Sequence, residues 1–461
     1  MIKIIFLLFF SYSFAVASEI NLDEVVKSSL QHYPKILGYY QKVAEDEAKI
    51  IKTQGLFDIQ LKQQYLNKTK GFYDGQSVDI VLERQNQLFG SKFYAGYRKS
   101  YGDFAIYDGN YLTNSGGEYR VGASLPLLQN NQIDKNRLTL ANAKLDLQQS
   151  KLQLAKMQAE IVRDASKAYF DWLATGKIYQ IYQDLYDLAL HRHQQLQSRL
   201  NKGDIANIVV VENQRNILSR KNSALEAKQD FLNQSNYLSL FLRDSSGKPK
   251  QISEKMLPKH LQEHLKQIKQ PSLEKDITHA LQNRPEMQIL NIAKNKEKNN
   301  IKQAKNNLMP KLDASFEVSQ DLGNGPQSRK QANNQIKLDF QLPLQQNEAK
   351  GDLAINEAKL SYLDYELQLM QEKIKIEVEQ VVNYLYTLNQ IYENSNEELK
   401  LSHKLNIAEK EHFKQGGSDF FLINLREQEV ARADIGRIKS FAKYQNALAD
   451  YHFIVFNNNQ I

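Results

Sequence analysis

The chain has 461 residues, 41% of them hydrophobic and 25% charged, which is the composition of a folded chain and excludes wholesale disorder. It contains no cysteine, which excludes disulfide bonds, thiolate metal sites and lipid attachment through cysteine. The formal net charge is +7, but lysine and arginine are scattered among acidic residues and form no basic run with aromatics, so nucleic-acid binding is not expected.

The N-terminal residues have the pattern of an export signal. MIKIIFLLFFSYSFAVAS contains one lysine, a short apolar run from Ile4 to Phe10 and the small residues Ala15-Val16-Ala17, which are typical of a cleavage site. The apolar run is much shorter than the ~20 residues that a membrane-spanning helix needs. We therefore predict a signal peptide over residues 1–17 and export of the chain.

Two parts of the chain are similar to each other. LDEVVKSSLQHYPKIL, from Leu22, returns as LEKDITHALQNRPEMQIL, from Leu273, and ASLPLLQNNQID, from Ala123, returns as FQLPLQQNEAKG, from Phe340. The shared order of these segments predicts one structural unit used twice. Chance similarity between two chains rich in leucine and glutamine is the alternative.

Four segments alternate between apolar and polar residues, which is typical of strands with one apolar and one charged face. Two structures fit this pattern: a half-buried soluble sheet, or a transmembrane barrel with lipid outside and water inside. Export favours the barrel, and several chains must share it because four strands are too few to close one. The apolar residues are Phe57, Ile59, Leu61 and Tyr65; Tyr119, Val121, Ala123 and Leu125; Leu312, Ala314, Phe316 and Val318; and Ile336, Leu338, Phe340 and Leu342.

The first half has additional strand-like sequence over residues 70–118, including SVDIVLERQNQLF and FYAGYRK. We interpret this segment as an extended hairpin above the membrane. Its aromatic residues either form an interfacial girdle or pack within loops. They are Phe89, Phe93, Tyr94, Tyr97, Tyr101, Phe104 and Tyr107.

Two long stretches without proline, from Gln132 to about Leu200 and from Gln345 to about Phe413, predict long helices. Each has two separate heptad seams, so each helix must pack between two neighbours, in a closed ring of helices or in a solid bundle. In the second stretch one seam runs Leu353, Leu360, Leu367, Ile374, Val381 and Leu388, and the other runs Ile355, Tyr362, Leu369 and Ile376. Pro126 and Pro343 mark the joints where strands pass into these helices.

The joints LPLLQNNQIDKNRLTLANAKLDL and LPLQQNEAKGDLAINEAKL, and the glycine-containing turns followed by IVVVENQRNIL and FLINLREQEV, resemble the TolC-like family of outer-membrane efflux proteins. The resemblance covers the mature chain. It implies a mixed, mainly α fold with a duplicated helix-strand-strand-long helical hairpin unit, in which three chains form a twelve-stranded barrel continuous with a periplasmic α-helical barrel.

On this resemblance the chain divides into eight segments. They are the signal peptide 1–17, first-repeat lead helices 18–55, first-repeat strands with the inserted segment 56–127, a long helical hairpin 128–243, a mid-tunnel linker 244–272, a second lead helix 273–309, second-repeat strands 310–344, and a second helical hairpin with the C-terminus 345–461.

The resemblance also implies a function. Such proteins are homotrimeric passive exit ducts in the outer membrane that extend into the periplasm, contact outer-membrane lipid and work with a periplasmic adaptor and an inner-membrane transporter. They are not enzymes and hold no cofactor. A tripartite efflux pump and a type I secretion system both use such a duct, and the cargo stays open. The alternative is a periplasmic coiled-coil scaffold with a soluble β-domain.

The family places a constriction at the turns that reverse the long helices. The corresponding tip residues here are Asp204, Asn207 and Asp419, and the turns that would contact the adaptor include Leu200, Gly203, Phe413, Gly416 and Gly417. The glycines suit a turn that needs positive φ. Helix N-capping is the alternative role for Asp204 and Asp419.

The histidine pairs of the sequence do not indicate a metal site. His260 and His264 have the spacing of two metal ligands on a helix, but no third ligand is near and a solvated helix is the preferred interpretation. The segment from His191 to His193 is expected to be exposed on its helix. The sequence has no G-x-S-x-G, H-E-x-x-H, P-loop or G-x-G-x-x-G motif on which an enzyme function could be argued.

Overall fold

A computed structural model describes residues 19–105, 111–259 and 272–456. The predicted signal peptide, the pair His260 and His264, and Tyr107 lie outside these ranges. Within them the chain is mainly helical, with one antiparallel sheet. In chain order the elements are α1 (Leu22–His32), α2 (Pro34–Gln54), β1 (Gln60–Asn67), β2 (Gly75–Gln85), β3 (Lys92–Gly102), β4 (Glu118–Pro126), α3 (Lys135–Asn201), α4 (Asn207–Leu238), α5 (Leu273–Asn283), α6 (Pro285–Asn307), β5 (Lys311–Asp321), β6 (Asn333–Gln341), α7 (Asn347–Lys414) and α8 (Phe420–Val455).

The short lead helices are bounded by local signals. Asn21 caps α1 by accepting a hydrogen bond from the Glu24 amide at 2.8 Å. Pro34 then forces an extended backbone at the preceding residue, ends α1 and begins α2. Pro285 separates α5 from α6 in the same way. The proline that the two similar segments share therefore has the same role in each.

The long helices agree with the sequence prediction. α3 has 67 residues and α7 has 68, so each extends about 100 Å at 1.5 Å per residue. The Leu353 seam of α7 becomes buried from Ile374 onward, whereas the seam from Ile355 to Ile376 stays between 43% and 62% exposed. One of the two predicted seams of α7 thus has no apolar cover from the residues that the structure describes.

The sheet has six strands in the order β1-β2-β3-β4-β5-β6, and each neighbouring pair is antiparallel. The sequence predicted four strands for the sheet of each chain, and that count is wrong, because two further strands belong to the same sheet. Within this segment, residues 75–102 do form a hairpin, but its strands β2 and β3 pair with β1 and β4 and are part of the sheet. The first strand also begins later than predicted, at Gln60, because Phe57 lies buried in a preceding 3-10 turn.

The described residues form two compact units. The first, within 1–39, 155–284 and 371–461, has a core around the chain's single tryptophan, Trp172, whose indole N–H donates to Ser235 Oγ at 3.1 Å. The second, within 40–154 and 285–370, contains the sheet. In the ranges described, no helix combines the length and apolar content needed to cross a lipid bilayer.

Candidate functional site

The turns that reverse the long helices have the same hydrogen-bond pattern. After α3, the Gly203 amide donates to the Leu200 carbonyl at 2.9 Å and the Asp204 amide donates to Arg199 at 3.0 Å. After α7, the Gly416 amide donates to Phe413 and the Gly417 amide to His412, each at 3.0 Å. Both turns are Schellman motifs, which need a left-handed residue just beyond the helix.

Gly203, with φ of +82°, and Gly416, with φ of +78°, supply that conformation, as predicted. Gly417 has no positive φ among the backbone angles of the turn. It is constrained differently, because a Cβ there would lie 2.2 Å from the His412 ring.

The acidic residues of the turns have different local roles. Asp419 caps α8, since its Oδ1 accepts the Leu422 amide at 2.9 Å. The corresponding position before α4 is Ala206, which has no side-chain cap. N-capping is therefore confirmed for Asp419 and is wrong for Asp204. Asp204, Asn207 and Asp419 are all exposed, so their carboxylate and amide groups are available to solvent.

A cleft of about 860 Å³ lies between the two turns. Phe413, Gly416 and Asp419 line it, together with Ile205 and Ile208 from the start of α4. The rings of Phe413 and Phe420 pack edge to face, with centroids 4.9 Å apart. The cleft brings together three of the predicted tip residues, whereas Leu200, Gly203, Asp204, Asn207 and Gly417 are not in its lining.

A buried ion cluster joins α3, α4 and α8 near this cleft. The Glu427 carboxylate accepts from Arg192 Nη2 at 2.6 Å and lies 3.6 Å from Arg220 Nη2. Arg192 also donates to Asn424, and Arg220 donates to the Leu185 carbonyl at 2.9 Å. All three charged side chains are at least nine-tenths buried.

The cluster carries more positive than negative charge, because two buried guanidinium groups share one carboxylate. Burial lowers the pKa of Arg220, and Glu427 only partly opposes that effect. Arg220 Nε and Glu427 Oε2 have no hydrogen-bond partner in the cluster. Removing the carboxylate would leave both cations buried without a counter-charge.

Sequence reasoning missed this cluster. Arg192 lies between the two histidines of the segment predicted to be exposed, and that prediction is wrong for Arg192, which is buried, but correct for His191. The helical period of α8 carries a signal in retrospect, because Glu427 follows Ile423 by four residues and precedes Ala431 by four, and both neighbours are buried.

The second unit presents a sheet with two different faces. Register places an apolar residue of each strand beside an apolar residue of the next, as in Leu61, Leu82, Ala95, Val121 and Val318. This face is open: Ile336, Leu338 and Phe340 of β6 are 77%, 65% and 66% exposed. Exposed apolar surface on this scale marks an interaction surface or a membrane-facing surface.

The opposite face of the sheet is charged and internally paired. Arg120 Nη2 donates to both oxygens of Asp79 at 2.6 Å, and Arg98 Nη2 donates to Asp79 at 3.3 Å. The Tyr94 hydroxyl donates to Glu317 at 2.6 Å, from β3 across β4 to β5. The alternation predicted from the sequence is thus present across the whole sheet.

The strand-helix joints are longer than predicted. Pro126 is the last residue of β4, paired with Asp313, and α3 begins only at Lys135. Pro343 lies two residues beyond β6, and α7 begins at Asn347. In the first joint Asp134 Oδ1 caps α3 by accepting the Asn136 amide at 2.8 Å. Within the described ranges no three His, Asp or Glu side chains are grouped as metal ligands would be.

No protein-family model and no curated protein matches the sequence. Solved structures do match. The CmeC outer membrane channel of Campylobacter jejuni has a TM-score of 0.65 at 12% identity, covering 94% of this chain and 85% of that chain. The open state of the MtrE outer membrane channel of Neisseria gonorrhoeae has a TM-score of 0.64 at 12% identity, covering 94% and 88%.

The outer membrane protein VceC of Vibrio cholerae has a TM-score of 0.65 at 11% identity, covering 94% of this chain and 95% of that chain. The likeness extends over nearly the whole of each molecule. It confirms, at the level of the fold, the resemblance to TolC-like outer-membrane proteins that the joints and turns of the sequence indicated.

Proposed function

We propose that this protein is a passive exit duct of the outer membrane that extends into the periplasm, serving a tripartite efflux pump or a type I secretion system. The observation that carries the proposal is the sheet with one open apolar face and one paired, charged face. Transmembrane barrel strands need this distribution, because one face contacts lipid and the other contacts water. The duct holds no cofactor and catalyses no reaction.

The duct works as a homotrimer whose chains share one barrel wall. The edges of the sheet support association with further copies. Among the described strands, β1 and β6 each pair on one side only, so their outer edges are open to β-strand addition. In an antiparallel order of six strands, the first and last run in opposite directions, so β6 of one copy can pair antiparallel with β1 of the next.

Unpartnered seams on the helices also support the trimer. On α4 the residues Val211, Leu218, Leu225 and Leu232 recur every seven positions and are between 44% and 64% exposed. On α7 the seam from Ile355 to Ile376 is exposed as well. Apolar heptad seams of this length bury themselves against other helices. A ring of helices from several chains covers them, whereas a solid bundle within one chain leaves them open.

The two turns that reverse the long helices form the periplasmic constriction and the contact with the adaptor. Asp419 combines two roles there: it caps α8 and adds an exposed carboxylate to the opening. Asp204 and Asn207 add exposed polar groups from the other turn. The cleft lined by Phe413, Ile208 and Phe421 offers apolar surface to an adaptor helix. An adaptor and an inner-membrane transporter select the cargo, because the duct contacts cargo only in transit.

The test combines solution mass with planar-bilayer conductance of the detergent-purified chain. We expect a mass of three copies and discrete single channels. A water-soluble species of any mass that gives no conductance would contradict the duct and would favour a periplasmic scaffold with a soluble β-domain. If the purified chain forms channels, the second experiment measures export of drugs and of polypeptides in a strain that lacks its own duct. The cargo exported separates the efflux role from the secretion role.

A further inference from the structure

The β2–β3 hairpin, residues 75–102, is built into the sheet and does not project from it. β2 pairs with β1 over eight residue pairs, from Gln60 with Glu83 to Asn67 with Gln76. β3 pairs with β4 over seven, from Lys92 with Ser124 to Arg98 with Glu118. β1 and β4 consequently have no direct pairing with each other. The hairpin lies between β1 and β4, two of the four strands predicted from the sequence.

The hairpin follows the same alternation as the four predicted strands. Val78, Ile80 and Leu82 of β2 and Phe93, Ala95 and Tyr97 of β3 lie on the apolar face of the sheet, in register with Leu61 and Val121 on either side. Each strand has 11 residues, which matches the 9–11 residues that a tilted transmembrane strand needs. Phe93 and Tyr101 place aromatic rings near the two ends of β3, about 26 Å apart along the strand, close to the height of the apolar band of such barrels.

The polar face of the hairpin is paired with the neighbouring strands. Asp79 of β2 binds Arg120 of β4 across β3, and Tyr94 of β3 reaches Glu317 of β5 across β4. Two glycines make room for these side chains. A Cβ at Gly96 would lie 2.7 Å from Arg120 Nε, and a Cβ at Gly122 would lie 2.3 Å from the Tyr94 ring. Asp79, Arg98 and Tyr94 of the hairpin therefore have their partners on the polar side of the sheet, as Arg120 of β4 and Glu317 of β5 do, whereas Arg84 and Lys99 lie on the apolar side, toward the strand ends.

We infer that the β2–β3 hairpin is part of the membrane wall, with its apolar face against lipid hydrocarbon. This inference rests on the proposed function, and it changes the number of strands in the barrel wall. Each copy contributes six strands, so a ring of three copies has eighteen instead of twelve. Barrel diameter grows roughly linearly with strand number, so the wall is about one and a half times as wide as a twelve-stranded one. Asp79, Arg98 and Arg120 line its interior.

The absence of cysteine allows a direct test, because any introduced thiol is the only one in the chain. Val81 and Leu82 are adjacent in β2 and lie on the polar and the apolar face. Ser315 and Phe316 are the matched pair in β5, a strand predicted from the sequence. Each of the four is replaced by cysteine, labelled with bimane in detergent and reconstituted into phosphatidylcholine vesicles. Quenching is measured with brominated phosphatidylcholine and with aqueous iodide.

Brominated lipid should quench the Leu82→Cys and Phe316→Cys labels at least twofold more than the Val81→Cys and Ser315→Cys labels, and iodide should show the opposite order. Alternation at β5 with equal quenching of the two β2 labels would overturn the inference and leave the proposed function intact. A Leu82→Cys label that neither quencher reaches would also overturn it, since protein then covers that face. Loss of alternation at β5 would overturn both.

Discussion

Glu427 carries one negative charge between the guanidinium groups of Arg192 and Arg220, and all three side chains are buried. Replacing it with glutamine leaves both cations without a counter-charge in a low-dielectric site. We expect Glu427→Gln to lower the free energy of unfolding by about 3–5 kcal/mol. Urea unfolding in detergent, followed by circular dichroism, measures the change.

Glu429 is the matched control for Glu427. It lies on the same helix and pairs with Arg426 at 2.8 Å, but both side chains are partly exposed to solvent. Because exposed ion pairs contribute little, Glu429→Gln should change the free energy of unfolding by less than about 1 kcal/mol. Equal effects of the two substitutions would show that the Glu427 cluster has no special energetic role.

Asp419 has a capping role and a proposed pore role, and two substitutions separate them. Asp419→Ala removes the cap and should cost about 1 kcal/mol of stability. Asp419→Asn keeps a side-chain oxygen for the Leu422 amide but removes the charge. If the carboxylate acts in the pore, both variants should reduce block of single channels by divalent cations. If cations block Asp419→Asn channels as strongly as those of the unchanged protein, the residue is a cap only.

At the scale of elements, a substitution at Gly416 tests how much the turn after α7 depends on the positive φ of this residue. Its φ is +78° and a Cβ added there would meet no atom within 4 Å, so Gly416→Ala changes only the conformational preference. We expect a loss of about 1 kcal/mol. Gly351, within α7, has equally open surroundings and no positive φ. Gly351→Ala should therefore stabilise the protein by up to about 1 kcal/mol.

The opposite signs expected for these two glycines make the comparison informative. Chemical unfolding of both variants, with circular dichroism as the signal, gives the two free energies under the same conditions. Stabilisation by Gly416→Ala would contradict the left-handed turn. The result concerns the reversal itself, because neither added methyl group meets another side chain.

At the scale of the whole molecule, the exposed seam of α4 predicts how copies associate. Replacing Leu218 and Leu225 with glutamate places charges on a surface that the proposed trimer buries. We expect the mass in detergent, measured by light scattering, to fall from three copies to one. The matched control is Glu226→Lys with Asp230→Lys, two exposed α4 residues outside the seam, which should leave the mass at three copies. A trimer that survives the leucine changes would contradict a role for this seam in assembly.

Features that depend on local periodicity could be predicted from the sequence without the structure. The long stretches of helix-forming residues without proline predicted α3 and α7 nearly to their ends, alternation predicted the two faces of the sheet, and Gly203 and Gly416 predicted the left-handed turns. These signals are local because helix period, strand period and positive φ each constrain residues that are close in the chain.

Features that join distant residues emerged only in the folded chain. Strand order depends on which edges pair, and alternation within β2 and β3 does not say that they separate β1 from β4. The Arg192, Arg220 and Glu427 cluster joins three helices, and no local pattern predicts which charges become buried together. Long-range pairing has no local signature, because its free energy comes from contacts formed only after the chain has folded.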